Sequence, residues 1–193
     1  MGRLGPACGA WQSSVMFEPT DRPTILEVRL KPHPASLESP IDTLTVLFER
    51  DGLALWLRFV AEGQMPEVVW PGPAEPGRAD DLWRHSCFEA FVQADDGYVE
   101  FNLSPSGQWA TYRFDSPRQG MRNAVEVATP GELDLAWDML ALETRIELPN
   151  GAIRLGLSAV IEAVDGSFSY WALAHPSDKP DFHHPDSFVL DLP

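Results

Sequence analysis

A chain of 193 residues is long enough to bury one sizeable core, and 44% hydrophobic with 22% charged residues is the composition of an ordinary globular protein. The formal net charge of -15 repels phosphate backbones and no Lys/Arg cluster opposes it locally, which argues against nucleic acid as a partner. No apolar stretch reaches membrane-spanning length, and the first fifteen residues hold no apolar run suited to secretion, so no membrane partner and a cytoplasmic location are expected.

In chain order, residues 1–16 read as a disordered leader with Met16 as an alternative start, and residues 17–193 as a single domain. Cys8 in that leader and Cys87 in the middle are too few for a disulfide framework or a four-ligand metal site, and read as free thiols. Eighteen prolines and fourteen glycines divide the chain into short segments, leaving no sustained helical stripe. Strands are predicted over Ile25–Leu30, Thr43–Arg50, Leu53–Val60, Ser86–Ala94, Tyr98–Ser104, Trp109–Asp115, Met139–Leu148, Ile153–Glu162, Phe168–Ala174 and Phe188–Leu192, with Val69–Asp81 as a long connection. Asp51-Gly52, Asp96-Gly97, Asn150-Gly151 and Asp165-Gly166 are pairs that tolerate the positive φ of tight turns, and four hairpins are expected from them. The expected fold is all-β, an antiparallel β-sandwich of jelly-roll-like, carbohydrate-binding-module type.

The segment from Asp81 to Asp115 is the richest. With Asp96-Gly97 as a two-residue loop, Asp95 faces Tyr98, Gln93 faces Glu100, Phe91 faces Asn102 and Glu89 faces Ser104. Phe88, Ala90, Val92, Val99, Phe101 and Leu103 then form an apolar face, and Glu89, Phe91, Gln93, Tyr98, Glu100, Asn102 and Ser104 a mixed polar one. The turn at Ser104-Pro105-Ser106-Gly107 has two registers. A two-residue loop sets Trp109, Thr111 and Arg113 beside Asn102 and Glu100; a three-residue loop with Gly107 as a bulge sets Ala110, Tyr112 and Phe114 there. Proline cannot take the positive φ of a type I′ turn, which favours the longer loop, yet that loop drives Arg113 toward the core, and both registers stay open. In either, an aromatic ring (Trp109 or Tyr112) lies beside Asn102 and a carboxylate, the chemistry of sugar recognition: C–H groups stack on the ring while hydroxyls bond to planar polar side chains. The plainer alternative is a solvated face.

These residues also carry a resemblance. Leu82-Trp83-Arg84, Cys87-Phe88-Glu89-Ala90-Phe91, the run Tyr98-Val-Glu-Phe-Asn-Leu-Ser-Pro-Ser-Gly-Gln-Trp-Ala-Thr-Tyr-Arg-Phe-Asp115, Trp171-Ala-Leu-Ala-His-Pro176 and Lys179-Pro-Asp-Phe-His-His-Pro185 resemble the bacterial DOMON-like domains, related in fold to family 9 carbohydrate-binding modules. The resemblance spans the middle and C-terminal parts of the chain, and implies a β-sandwich that binds a sugar or a haem.

Its implied partner is a small molecule, a sugar first, bound without catalysis. Trp83, Arg84, Glu89, Glu100, Asn102, Trp109, Tyr112 and Arg113 are the candidate ligand contacts, with His175, Lys179, Asp181 and His183 as a rim; Lys179, Arg84 and Arg113 would hold an anionic group. No cofactor is required. Haem, the alternative, would draw axial ligands from His33, His85, His175, His183, His184, Met65, Met121 and Met139. His175, Asp181 and His183 match no zinc spacing. A glycosidase is the rival class, but the hairpin register sets Glu89 four residues from Glu100, about 13 Å at the usual rise, beyond the about 5–9.5 Å of paired catalytic carboxylates. A partner-binding sandwich would need exposed anchors among Trp56, Trp70, Trp83, Trp137 and Trp171, which are more often core.

Overall fold

A computed structural model of the chain describes residues 25–36 and 38–192; the expected leader and Cys8 lie outside them. In chain order the strands are β1 (Leu26–Pro32), β2 (Ile41–Asp51), β3 (Ala54–Gly63), β4 (Gly77–Arg78), β5 (Cys87–Ala94), β6 (Gly97–Leu103), β7 (Gln108–Phe114), β8 (Arg122–Asn123), β9 (Ala128–Leu135), β10 (Met139–Glu147), β11 (Arg154–Glu162), β12 (Phe168–Ala172) and β13 (Leu190–Asp191). The helical residues are three 3-10 turns, Met65–Glu67, Leu82–Arg84 and Pro185–Ser187. The fold is all-β, as the punctuation by proline and glycine predicts.

The strands form one strongly curled sheet in the order β4-β7-β6-β5-β11-β12-β1-β2-β3-β10-β9, with β8 beside β7 and β13 beside β11. β1 makes the sheet continuous. Leu26 to Leu30 pair with β2, and Lys31 and Pro32 pair with β12, so one strand hands the chain from one layer to the other. The pairing is antiparallel except for the short β4–β7 contact, which is parallel.

Alternation explains the core. Leu44, Val46 and Phe48 of β2, Leu55, Leu57 and Phe59 of β3, and Leu140, Leu142 and Ile146 of β10 point inward and meet Phe88, Ala90, Val92, Val99, Phe101, Leu155, Leu157 and Ile161 from the other layer. Phe59 and Phe88 touch across the middle with ring centroids 4.9 Å apart.

Three of the four glycine turns close hairpins: β2–β3, β5–β6 and β11–β12. The fourth does not. Asn150-Gly151 passes from β10, which pairs with β3 and β9, to β11, which pairs with β5, β12 and β13; the turn closes on itself through the Ala152 N–H to the Pro149 carbonyl (3.2 Å), but its two strands part into different layers. β9 was not expected at all, because Pro130-Gly131 reads as a turn. It survives as an edge strand with every residue after Ala128 exposed, where proline removes no ladder bond that matters, and the β10 register slips between Leu142 and Thr144 opposite it. Val69–Asp81 is a connection, as expected, carrying only the two residues of β4.

β5 and β6, like β11 beside them, are buried on both faces. A second apolar cluster, including Phe91, Tyr98, Tyr112, Phe114, Val160, Phe182 and Phe188, covers their outer side. The C-terminal segment does this covering, and Phe188 is seated by Gly156: a Cβ there would lie 2.7 Å from the Phe188 ring.

Candidate functional site

The β5–β6 register decides which polar groups meet. Ala94 pairs with Gly97, so the two-residue loop is Asp95-Asp96, not Asp96-Gly97. Gly97 serves a different need: at φ 120 it lies against β7, and a Cβ would sit 2.0 Å from the Phe114 carbonyl oxygen. The displaced loop preserves both faces but moves the pairing by two residues. Phe91 now faces Glu100, and Glu89 faces Asn102. Glu89 and Glu100 are therefore diagonal neighbours on adjacent strands, about 7–8 Å apart at the backbone. The separation that argued against paired carboxylates falls with the register that produced it.

The turn after β6 takes the longer form. The Gly107 N–H donates to the Ser104 carbonyl, and Asn102 pairs with Ala110 and Glu100 with Tyr112. Ala110, Tyr112 and Phe114 join the polar face. Trp109 turns to the opposite side and packs on the inner core, and Arg113 reaches Asp96 (2.8 Å) and Glu126 (2.5 Å). Neither belongs to the site.

The polar face is not solvated surface: Glu89 is 3% exposed, Glu100 5% and Asn102 0%. It is the floor of an open cleft of about 380 Å³, walled by Trp83, Phe114, Tyr170, Phe182 and Met121, with Arg118 and His183 at its sides. Trp83 comes from the 3-10 turn Leu82–Arg84, and its ring meets Tyr112 edge-on at 5.7 Å. Tyr112 is fixed in turn by donating its hydroxyl to Asp80 (2.6 Å) and by the Arg78 guanidinium 5.0 Å from its ring centroid, so it braces the wall without lining the cleft.

On the floor, Glu89 Oε2 accepts from the Ser158 hydroxyl (2.9 Å), and Glu100 Oε1 from the Asn102 amide (2.6 Å). Burial pushes both carboxyl groups well above the ordinary glutamate range; the charge of Glu100 raises Glu89 further, against the Ser158 bond and the Arg118 field. The Asn102 bond and Arg118 work against the rise at Glu100. Cys87, beneath them, is a free, fully buried thiol, which burial keeps protonated.

His183 closes one side. Burial, and then the Arg118 charge, lower its pKa to about 4, so it is neutral near pH 7. Tyr98, raised to about 12 chiefly by burial, keeps its proton. The Tyr98 oxygen accepts the Arg118 backbone N–H (3.2 Å) and shares a hydrogen bond with His183 Nδ1 (2.7 Å). His183 Nε2 lies 3.7 Å from Glu100 Oε2. Because the ring is neutral, this contact is not an ion pair.

Asp181 supports the site from behind, capping the His183 N–H (3.2 Å) and holding the Arg118 guanidinium (2.9 Å). Arg118, which the sequence reading did not single out, stands at φ 59 in the left-handed region, a conformation maintained by its surroundings. Phe114, Tyr170, Phe182 and Ser158 were also missed as site residues. The remaining candidates lie elsewhere: Arg84 pairs with Asp81 (3.3 Å), Lys179 is exposed and does not line the cleft, and His175 donates to the Lys31 carbonyl (2.8 Å) while packing edge-on against His33.

The donor set does not fit haem. Of the candidate axial ligands only His183 and Met121 line the cleft, above a floor of two carboxyl groups rather than an apolar one. Among the described residues no group of three or more His, Cys, Asp or Glu is placed to hold a metal ion. Comparison with family models, with curated proteins and with solved structures gave no match.

Proposed function

We propose that the cleft binds a small hydroxylated ligand of carbohydrate type and does not transform it, as a DOMON-like domain would. One observation carries this reading. Glu89 Oε1 and Glu100 Oε2 take no hydrogen bond among the described residues, although both side chains are more than nine-tenths buried, and both line a cleft with aromatic walls. The buried side-chain atoms left without a partner among the described residues are Trp70 Nε1 and Glu126 Oε2; the two glutamate oxygens instead open to the cleft, where water can be exchanged for the donors of a ligand. Ligand hydroxyls supply them, and Trp83 and its aromatic neighbours offer faces for C–H groups.

Glycoside hydrolysis is the second reading, favoured by the diagonal placement of Glu89 and Glu100. Catalytic carboxyl groups, however, flank the scissile bond. Here both rise from one floor, on neighbouring strands of one hairpin. Thermal-shift titration with mono- and oligosaccharides tests binding, because a ligand of the folded state raises its stability. Stabilisation of the wild type that Trp83→Ala abolishes is expected; no shift with any sugar would count against the cleft, and hydrolysis products detected by mass analysis would replace binding with catalysis.

A further inference from the structure

The cleft floor demands positive charge. Two carboxyl groups share it, and the only cation whose field bears on both, among the described residues, is Arg118. That guanidinium makes its ion pair with Asp181 (2.9 Å) and makes no hydrogen bond to either glutamate. The groups facing the pair are otherwise neutral or acidic: the Cys87 thiol on β5, the Tyr98 phenol on β6, Ser158 on β11, and neutral His183 with Asp181 on the C-terminal segment. The walls are aromatic, and aromatic faces attract cations. A metal ion is poorly served, since among the described residues no group of three or more His, Cys, Asp or Glu is placed to hold one.

We infer that the ligand carries an ammonium group, an amino sugar in preference to a neutral one, seated between Glu89 Oε1 and Glu100 Oε2. This deepens the proposed sugar-binding reading and rests on it. An ammonium presents only donors, which matches two acceptor oxygens, whereas a hydroxyl also turns lone pairs toward them. The net charge of -15 draws cations toward the molecule. Without ligand the pair holds a proton in the neutral range. When the ammonium arrives, each carboxyl group that is still protonated loses its O–H proton to the buffer, and the cation takes the place of those protons between two carboxylates. Binding therefore releases protons, and a neutral sugar releases none.

The test is calorimetry of the full chain at about pH 6, where a sugar amine is charged, in two buffers of different ionisation heat. The probes are oligomers of glucosamine, their N-acetylated counterparts, glucose oligomers of equal length, and ethanolamine. Glucosamine oligomers are expected to bind at least about tenfold more tightly than the neutral probes, with proton release that falls in Glu89→Gln and in Glu100→Gln and disappears in the double variant. Equal binding of charged and neutral oligomers, both lost in Trp83→Ala, would overturn the ammonium inference and leave the sugar cleft standing. Ethanolamine binding that depends on Glu89, with no sugar bound, would uphold the ammonium site and overturn the sugar reading. Binding of none of the four removes both.

Discussion

The β2–β3 and β5–β6 hairpins are built from the same alternation, yet only one of them makes a site. In β2 the inward Leu44, Val46 and Phe48 are buried, while Asp42 is exposed and Thr43, Thr45 and Leu47 are partly exposed on the other side. In β5 and β6 the inward residues are equally buried, but so are Glu89, Glu100 and Asn102 opposite them. An outward polar residue on β2 is hydrated and costs little. The same residue type on β5 or β6 lies under the C-terminal segment and must find partners within the protein. Ser158 and Asn102 supply one bond each to Glu89 and Glu100, the other carboxyl oxygens are left to the cleft, and that difference makes one hairpin scaffold and the other a candidate site.

Mutations sharpen this contrast. Phe88→Ala, on the inner face between the layers, is expected to cost about 3–5 kcal/mol in urea unfolding, whereas Trp83→Ala in the cleft wall costs less than about 1 kcal/mol because the ring is only partly buried. Equal losses would make the outer cluster a second core.

Glu89→Gln tests the charge on the floor. Burial raises the folded-state pKa of Glu89 above its unfolded value. Its carboxyl therefore costs nothing in acid, where it is protonated in both states, and costs progressively more as pH rises from the unfolded value through the folded one. The variant is expected to match the wild type in acid and to exceed its stability at alkaline pH by on the order of 5 kcal/mol, each tenfold change in proton affinity being worth about 1.4 kcal/mol. A constant difference across pH would show that Glu89 ionises normally.

The smallest contrast compares outward positions directly. Asn102→Ala strips Glu100 of its amide partner and should cost about 1–3 kcal/mol, while Thr45→Ala on β2 should stay within about 0.5 kcal/mol. Chemical denaturation of both settles whether the two outer faces differ.

Much of the scaffold was legible in the sequence because alternation survives small errors of register. Phe88, Ala90 and Val92 oppose Val99, Phe101 and Leu103 in either the expected or the observed pairing, so the faces were read correctly. The site was less legible, because it depends on which residues are neighbours. A one-residue displacement of the loop, from Asp96-Gly97 to Asp95-Asp96, brings Glu89 next to Glu100, and one extra residue in the Ser104–Gly107 turn removes Trp109 from the face and installs Phe114. Proline at 105 favoured that longer turn, and the cost of moving Arg113 inward is met by Asp96 and Glu126, which no local pattern announces. Arg118 and Tyr170 reach the cleft only through tertiary folding. Of the proline-stiffened C-terminal segment expected to form a rim, Phe182 and His183 line the cleft and Lys179 does not.

The most direct test of the account is a carboxyl-carbon NMR titration of Glu89 and Glu100, assigned through Glu89→Gln and Glu100→Gln. The account predicts that both resonances titrate well above the ordinary glutamate value, and that removing either carboxyl lowers the pKa of the other. Two independent titrations at the ordinary value would mean a wet, open floor, and the cleft would be plain surface.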